Sequence, residues 1–215
     1  MDPWMSFREI EIIEAALLAV DKPHLEILEW GCGGSTLHFT KMLTDKGRSF
    51  HWTSVEHNRA WYEDIAAQIG QRDNIELHWF DAEGDDRKAL QDTPMQDYVN
   101  FPASLQKKFD LILVDGRKRR QCMAAAVNLI TDDGAVYLHD ALRPEYHGAF
   151  SSYPEGHFVS LKLWRGIRKP AGIGRRIANF WNYVYYRYLV KKLYRMYRNR
   201  LQRRNIPFDY QQSRW

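Results

Sequence analysis

The chain has 215 residues, 45% of them hydrophobic, which is enough for one well-buried domain with an appendage and crowded for two full domains. Two cysteines imply no disulfide framework, the opening Met1–Arg8 lacks the basic and apolar regions of a signal peptide, and no apolar run reaches the roughly 18 residues of a membrane span, so a cytoplasmic protein is expected. The net charge of +4 conceals a split between residues 1–161, with 16 Lys+Arg against 26 Asp+Glu, and residues 162–215, with 15 Lys+Arg against the single acid Asp209.

Ser6 followed three residues on by Glu9 is a capping signature, and Phe7, Ile10, Ile13, Ala16, Leu17 and Val20 recur at helical spacing until Pro23. This amphipathic helix is expected to cover a sheet face; a lid over a ligand is the alternative. Leu25, Ile27 and Leu28 read as a buried parallel strand that breaks into Gly31, Gly33 and Gly34. Glycines allow a tight turn whose backbone N–H groups approach a ligand closely, and a helix starts at Ser35 or Thr36. Strand, Gly-x-Gly turn and helix make the nucleotide-binding corner of a doubly wound sheet, with Thr36 standing where a dinucleotide fingerprint has its third glycine.

A second strand runs through His51–Glu56 and ends in an acid about 25 positions beyond Gly31. A carboxylate there accepts hydrogen bonds from both ribose hydroxyls, which makes Glu56 the candidate ribose ligand; the alternative is an acid favoured by the dipole of the next helix. That helix, Ala60–Ile69, stops at Gly70, and a third strand over Ile75–Phe80 leads to Asp81 and Ala82. Asp85–Lys88 reads as a solvated helix start, and Gln91–Leu105, with two prolines and no clear period, as an inserted loop near the site mouth. Phe109–Val114 is the strongest strand, with Asp115 at its carboxyl end. A helix over Arg119–Leu129 leads to a fifth strand over Ala135–Asp140, and a last strand, His157–Trp164, is expected antiparallel at the sheet edge.

Glu29, Glu56, Asp115 and Asp140 thus all fall at strand ends, in the crevice where open α/β sheets bind ligands, and four in register are poorly explained as loop charges. The run Glu29-Trp30-Gly31-Cys32-Gly33 resembles the E/D-x-G-x-G signature of class I S-adenosylmethionine-dependent methyltransferases. The resemblance covers about Leu25 to Trp164 and implies that Glu29 orients the methionine end of S-adenosylmethionine. It also implies that the backbone of Gly31, Cys32 and Gly33 and the start of the helix at Ser35 and Thr36 lie against that cofactor. Ser54-Val55-Glu56-His57 is similar to the family's second-strand segment, with His57 and Trp61 as walls of the adenosine, and Asp81-Ala82 to the segment that contacts the adenine amino group. Phe109–Arg119 is distantly similar to the catechol-type O-methyltransferases, in which the fifth strand ends in Asp-Asn and binds a divalent ion. Here Asp140 is followed by Ala141, an incomplete donor set for Mg²⁺, so no metal is expected. The Val114-Asp115-Gly116-Arg117 form, with the Asp140-x-x-Arg143-Pro144-x-Tyr146 segment, looks closer to a bacterial methyltransferase-domain family.

Methyl transfer from a sulfonium is an in-line displacement that needs the acceptor aligned and, for a hydroxyl, deprotonated. Asp115, His139 and Asp140 are the available bases, with an inward core histidine as the alternative for His139. Arg117 and Arg143 either pair an acidic group of the substrate or neutralise the acids. In the tail, Pro170, Gly172 and Gly174 mark a hinge before a helical stretch that begins near Arg175, in which Ile177, Trp181, Val184 and Tyr188 share a face until Lys191, Lys192 and Arg195 blur the period. Three uses stay open for this basic aromatic stretch: docking on the acidic body or on a second subunit as a homodimer, an anionic membrane surface, and, least favoured, nucleic acid.

The expected architecture is a Rossmann-like doubly wound, mostly parallel sheet of order 3-2-1-4-5 plus an edge strand in residues 1–164, followed by a basic helical tail in 165–215. The expected activity is transfer of a methyl group from S-adenosylmethionine to oxygen on a small molecule or glycan, in the cytoplasm or peripherally at the inner membrane face. The competitors are a nicotinamide-dependent Rossmann oxidoreductase and a non-catalytic membrane or RNA adaptor.

Overall fold

A computed structural model of the chain describes residues 1–81, 95–170, 172–204 and 206. Its seven strands are β1 (His24–Trp30), β2 (Ser49–Glu56), β3 (Ile75–Trp79), β4 (Phe109–Val114), β5 (Ile130–Leu138), β6 (Glu155–Phe158) and β7 (Trp164–Ile167). They form one sheet in the order β3-β2-β1-β4-β5-β7-β6, parallel through β5 and antiparallel at β7 and β6. Helices cover both faces, so the central strands are apolar almost throughout, and every residue of β4 is buried.

On one face α1 (Phe7–Ala19), α2 (Gly34–Asp45) and α3 (Arg59–Ile69) pack Ile13, Leu17, Phe39 and Ile65 onto Ile27, Trp52 and Leu111. On the other, α4 (Gln96–Ser104), α5 (Arg119–Ala126) and a 3-10 segment (Pro144–Ser152) close over Leu28, Trp30, Ile112, Val136 and Leu138. The start of α1 is the capping box expected from the sequence: the Glu9 N–H donates to Ser6 Oγ at 3.4 Å, and the Ser6 N–H donates to Glu9 Oε2 at 2.9 Å.

Three expectations are corrected. The Gln91–Leu105 stretch is a helix over Gln96–Ser104, in which Tyr98, Val99 and Pro102 are buried. That one-turn stripe is too short to register as a period. Pro102 lacks the N–H that would bond the Tyr98 carbonyl, and Trp30 Nε1 donates to that carbonyl instead at 3.1 Å. The single edge strand is a hairpin, β6 and β7, turned at 159–163 where the Leu163 N–H donates to Ser160 Oγ and the Val159 N–H to the Leu163 carbonyl. The expected division after residue 164 therefore falls inside β7, and the sheet continues to Ile167.

The tail is one continuous helical run: α6 (Ile173–Val184), a π segment (Tyr185–Val190) and α7 (Lys191–Arg203). It rests on the body through Asn182, which bonds both backbone groups of Phe158, through Tyr183 Oη at 3.0 Å from His147 Nδ1, and through Tyr186 stacked on Phe158. No helix among the described residues is long and apolar enough to cross a membrane.

Candidate active site

Register places the site. Trp30, Val55, Val114 and Leu138 are partners across β2, β1, β4 and β5. The pairing continues one residue further, with N–H donors of Gly31 to Val55, Asp115 to Trp30 and His139 to Val114 at 2.8, 2.9 and 3.1 Å. Gly31, Glu56, Asp115 and His139 therefore stand in one row along the carboxyl edge, and Asp140 follows at once. The sheet brings together the candidates from four separate strands.

The two tight loops of this row touch. Gly31 has φ +97°, and a Cβ there would lie 2.6 Å from both Cα and N of Gly116; a Cβ on Gly116 would lie 2.1 Å from Tyr98 Oη. Only glycine suits the φ at residue 31 and the space at both positions. Over the next turn, Trp61 Nε1 donates to the Cys32 carbonyl, and its ring sits against Gly33 with Trp4 tilted beside it, the centroids 5.8 Å apart. Asp2 and Pro3 pack on Gly34, so the N-terminal segment crosses the start of α2. Burial and the nearby acids Glu56 and Glu29 raise the Cys32 thiol, which stays protonated beside the turn.

Glu29 does not face the crevice. It is fully buried and takes hydrogen bonds from Ser35 Oγ and Thr36 Oγ1 at 2.5 Å each, Ser54 Oγ at 2.8 Å and Trp52 Nε1 at 3.1 Å. These donors come from α2 and β2, and Thr36 Oγ1 also accepts from the Gly33 N–H at 2.9 Å. Glu29 holds the glycine turn to the sheet, and the Ser35 and Thr36 side chains are spent on it, so its orienting role runs through the turn. The cause lies in its place along β1: Glu29 is level with Leu113, two positions short of Asp115, so its side chain is enclosed beneath α2. Burial pushes its carboxyl up to about 7 against those four donors.

Glu56 is placed differently. Its Oε1 accepts from the backbone N–H groups of His57 and Asn58, both at 2.8 Å, and Oε2 has no partner among the described residues. One oxygen fixes the carboxylate, with His57 Nδ1 2.7 Å from it, and the group is buried at the strand end. His57 lies beside it, with Arg117 Nε 3.4 Å from His57 Nε2 and Trp79 Nε1 donating to its carbonyl. Asp81 is exposed just past β3; Ala82 and Asp85–Lys88 lie outside the described residues.

At the far end of the row, His139 is clamped. Its Nδ1 is 2.9 Å from Asp115 Oδ1 and its Nε2 is 3.7 Å from Glu9 Oε2, while Ser160 Oγ donates to Glu9 Oε1 at 2.9 Å. Although burial opposes the charge, the two carboxylates drive the imidazole up to about 10, and His139 with Arg119 draws Asp115 down to about 2. Arg119 Nη2 is 2.8 Å from Asp115 Oδ1, and Asp140, held at φ +56°, pairs with Arg143 at 2.5 Å. With a carboxylate beside each ring nitrogen, this corner favours the imidazolium form of His139. Asp115 and Asp140 both face cations, and no cluster of three or more His, Cys, Asp or Glu side chains suited to a metal ion occurs among the described residues.

Three contributors had escaped the sequence reading. Glu9 had a full explanation as a helix cap, and nothing local links it to residues 139 and 160. Tyr98, whose Oη accepts from the Arg117 N–H at 3.3 Å, lay in the supposed loop. Arg119 carries no sequence signal of its own, although its side chain donates to the Asp115, Gly116 and His139 carbonyls.

Residues 28–141 match the model of a family described as a methyltransferase domain. Among solved structures, a methyltransferase-like protein from Silicibacter pomeroyi superposes with a TM-score of 0.54 at 22% identity, covering 83% of this chain and 95% of that one. Human methyltransferase-like protein 13, in complex with S-adenosylhomocysteine, superposes with a TM-score of 0.51 at 14% identity over 86% of this chain and 98% of that one. Among curated proteins, none matches.

Proposed function

The chain belongs to the methyltransferase-domain family, class I enzymes that use S-adenosylmethionine, and from that premise we propose that it transfers the methyl group to an oxygen of a small molecule or glycan. The observation that carries this reading is the single row of Gly31, Glu56, Asp115 and His139 along the carboxyl edge of β1, β2, β4 and β5. When bound there, S-adenosylmethionine supplies an electrophilic methyl on sulfur.

The residues fit such a guest. Gly31, at φ +97°, presents bare backbone at the turn where the methionine end lies, and Oε2 of Glu56 accepts from the ribose hydroxyls. His57 and Trp61 flank the adenosine, and Asp81 stands at the end of β3 for the adenine amino group. Glu29, Ser35 and Thr36 act behind the turn as positioning residues.

For the acceptor, the cationic His139 leaves proton removal to a carboxylate, and Asp140, at the rim beside Arg143, is the base in this reading. Arg119 and Arg143 face the same corner and stabilise the oxygen as its negative charge develops. Asp115 keeps His139 charged and in place.

The test is a methyl-transfer assay with labelled S-adenosylmethionine and a panel of phenols, sugars and glycans, run alongside titrations with S-adenosylhomocysteine and NADH. Labelled O-methyl product and S-adenosylhomocysteine binding without NADH binding are expected. NADH binding alone would replace the reading with the oxidoreductase one.

A further inference from the structure

The tail helix has two faces, and only one is spent on the body. The other exposes Ile177, Phe180, Trp181, Tyr188, Leu193 and Met196, with Trp181 62% and Tyr188 67% accessible. On a regular α-helix Leu193 would lie about 160° round from Ile177, on the opposite side. The π segment Tyr185–Val190, with its wider i→i+5 turn, sets the chain back by about one residue and returns Leu193 and Met196 to the stripe. A π turn placed where it keeps one apolar face continuous argues that the face is used.

At the foot of the stripe, a groove of about 530 Å³ is walled by Pro144, Arg187, Lys191, Lys192 and Arg195, with Met196 at its side. Four cations and no acid line it. Burial and the nearby Arg187 and Arg195 pull the Lys191 ammonium below its usual range despite Glu145, and its Nζ donates to the Leu142 carbonyl at 3.1 Å. From residue 162 to residue 208 the sequence has no acid at all.

We propose that this helix docks on an anionic bilayer, its apolar stripe lying at the boundary of headgroups and acyl chains and the groove taking the phosphates of the lipids. Trp and Tyr rings beside Arg and Lys are the side chains that settle at headgroup depth. A second copy of the chain packed tail on tail is the poorer occupant, because that two-fold interface would set each basic tail against its own charge. Nucleic acid would satisfy the cations and the rings and leave Ile177, Leu193 and Met196 uncovered.

The experiment is flotation of the full chain with vesicles of phosphatidylcholine alone and of phosphatidylcholine with phosphatidylglycerol. Flotation is expected with the anionic vesicles only, weakening as salt rises. With two phosphate-facing charges removed, the Lys192→Gln/Arg195→Gln variant partitions about thirtyfold less. Trp181→Glu also loses flotation, and both variants keep wild-type circular dichroism and S-adenosylhomocysteine affinity. Four outcomes would overturn the proposal: no flotation of the wild type at low salt, a lipid-free dimer broken by Trp181→Glu, tighter binding to single-stranded RNA than to vesicles, or binding of inorganic phosphate without vesicle binding.

Discussion

Glu29 and Asp115 both stand near the carboxyl end of a central parallel strand and close to a glycine, two register positions apart, and the protein treats them in opposite ways. Glu29 is enclosed by hydroxyls and an indole, neutral dipoles that do not repay its burial, and is pushed up to about 7. Asp115 stands one residue beyond its strand, beside His139 and Arg119, and is held down to about 2. Position near a strand end therefore brings an acid toward the site, but how far along the strand it stands decides its use: Glu29, level with Leu113, is enclosed as a structural tie, and Asp115, two positions further on the same side of the pleat, is a charged wall of the crevice.

The contrast can be broken most severely where the two loops meet. Gly31→Val places a branched side chain at φ +97° and against the backbone of Gly116, and should cost about 4 kcal/mol or more in denaturant unfolding, together with the loss of S-adenosylhomocysteine binding. Next comes the charged end. His139→Gln removes the cation between Asp115 and Glu9 and should cost about 3 to 5 kcal/mol. Because the imidazole is raised in the folded state from about 6.5 to about 10, the deficit is full below pH 6.5 and shrinks as pH rises through 10, which a pH series of urea melts would follow.

At the neutral end the sign is the same, in a lower pH window. A buried carboxyl raised from about 4.5 to about 7 makes the folded protein bind the extra proton, so its contribution to stability falls as pH climbs between those values and then levels, by about 3 kcal/mol in all. Glu29→Gln, which keeps partners for Trp52 and the hydroxyls, should remove that component of the slope. The smallest effect is expected at an exposed pair outside both environments: Arg8→Ala, which loses a 3.4 Å contact with Glu11, should change stability by no more than about 0.5 kcal/mol.

The sheet order was legible because its signals are local: a glycine turn after a strand, acids after apolar runs and a capped amphipathic helix. The Gln96–Ser104 helix was hidden by its brevity and by Pro102, whose cost is offset by Trp30, a residue far away in sequence. The tail's apolar stripe blurred because its period follows a π turn that 3.6-residue arithmetic does not contain. Of the site, the row of strand-end residues could be read. The charge state of His139 could not, because it depends on Glu9, which reaches it from the other end of the chain.

The most direct measurement of the central claim is calorimetric titration of S-adenosylhomocysteine into the wild type and into Glu56→Ala. Saturable one-to-one binding by the wild type is expected, and a loss of about 1.5 to 3 kcal/mol in the variant as a charged hydrogen-bond acceptor disappears from the ribose. Equal affinity in both proteins, or no binding by a folded wild type, would contradict it.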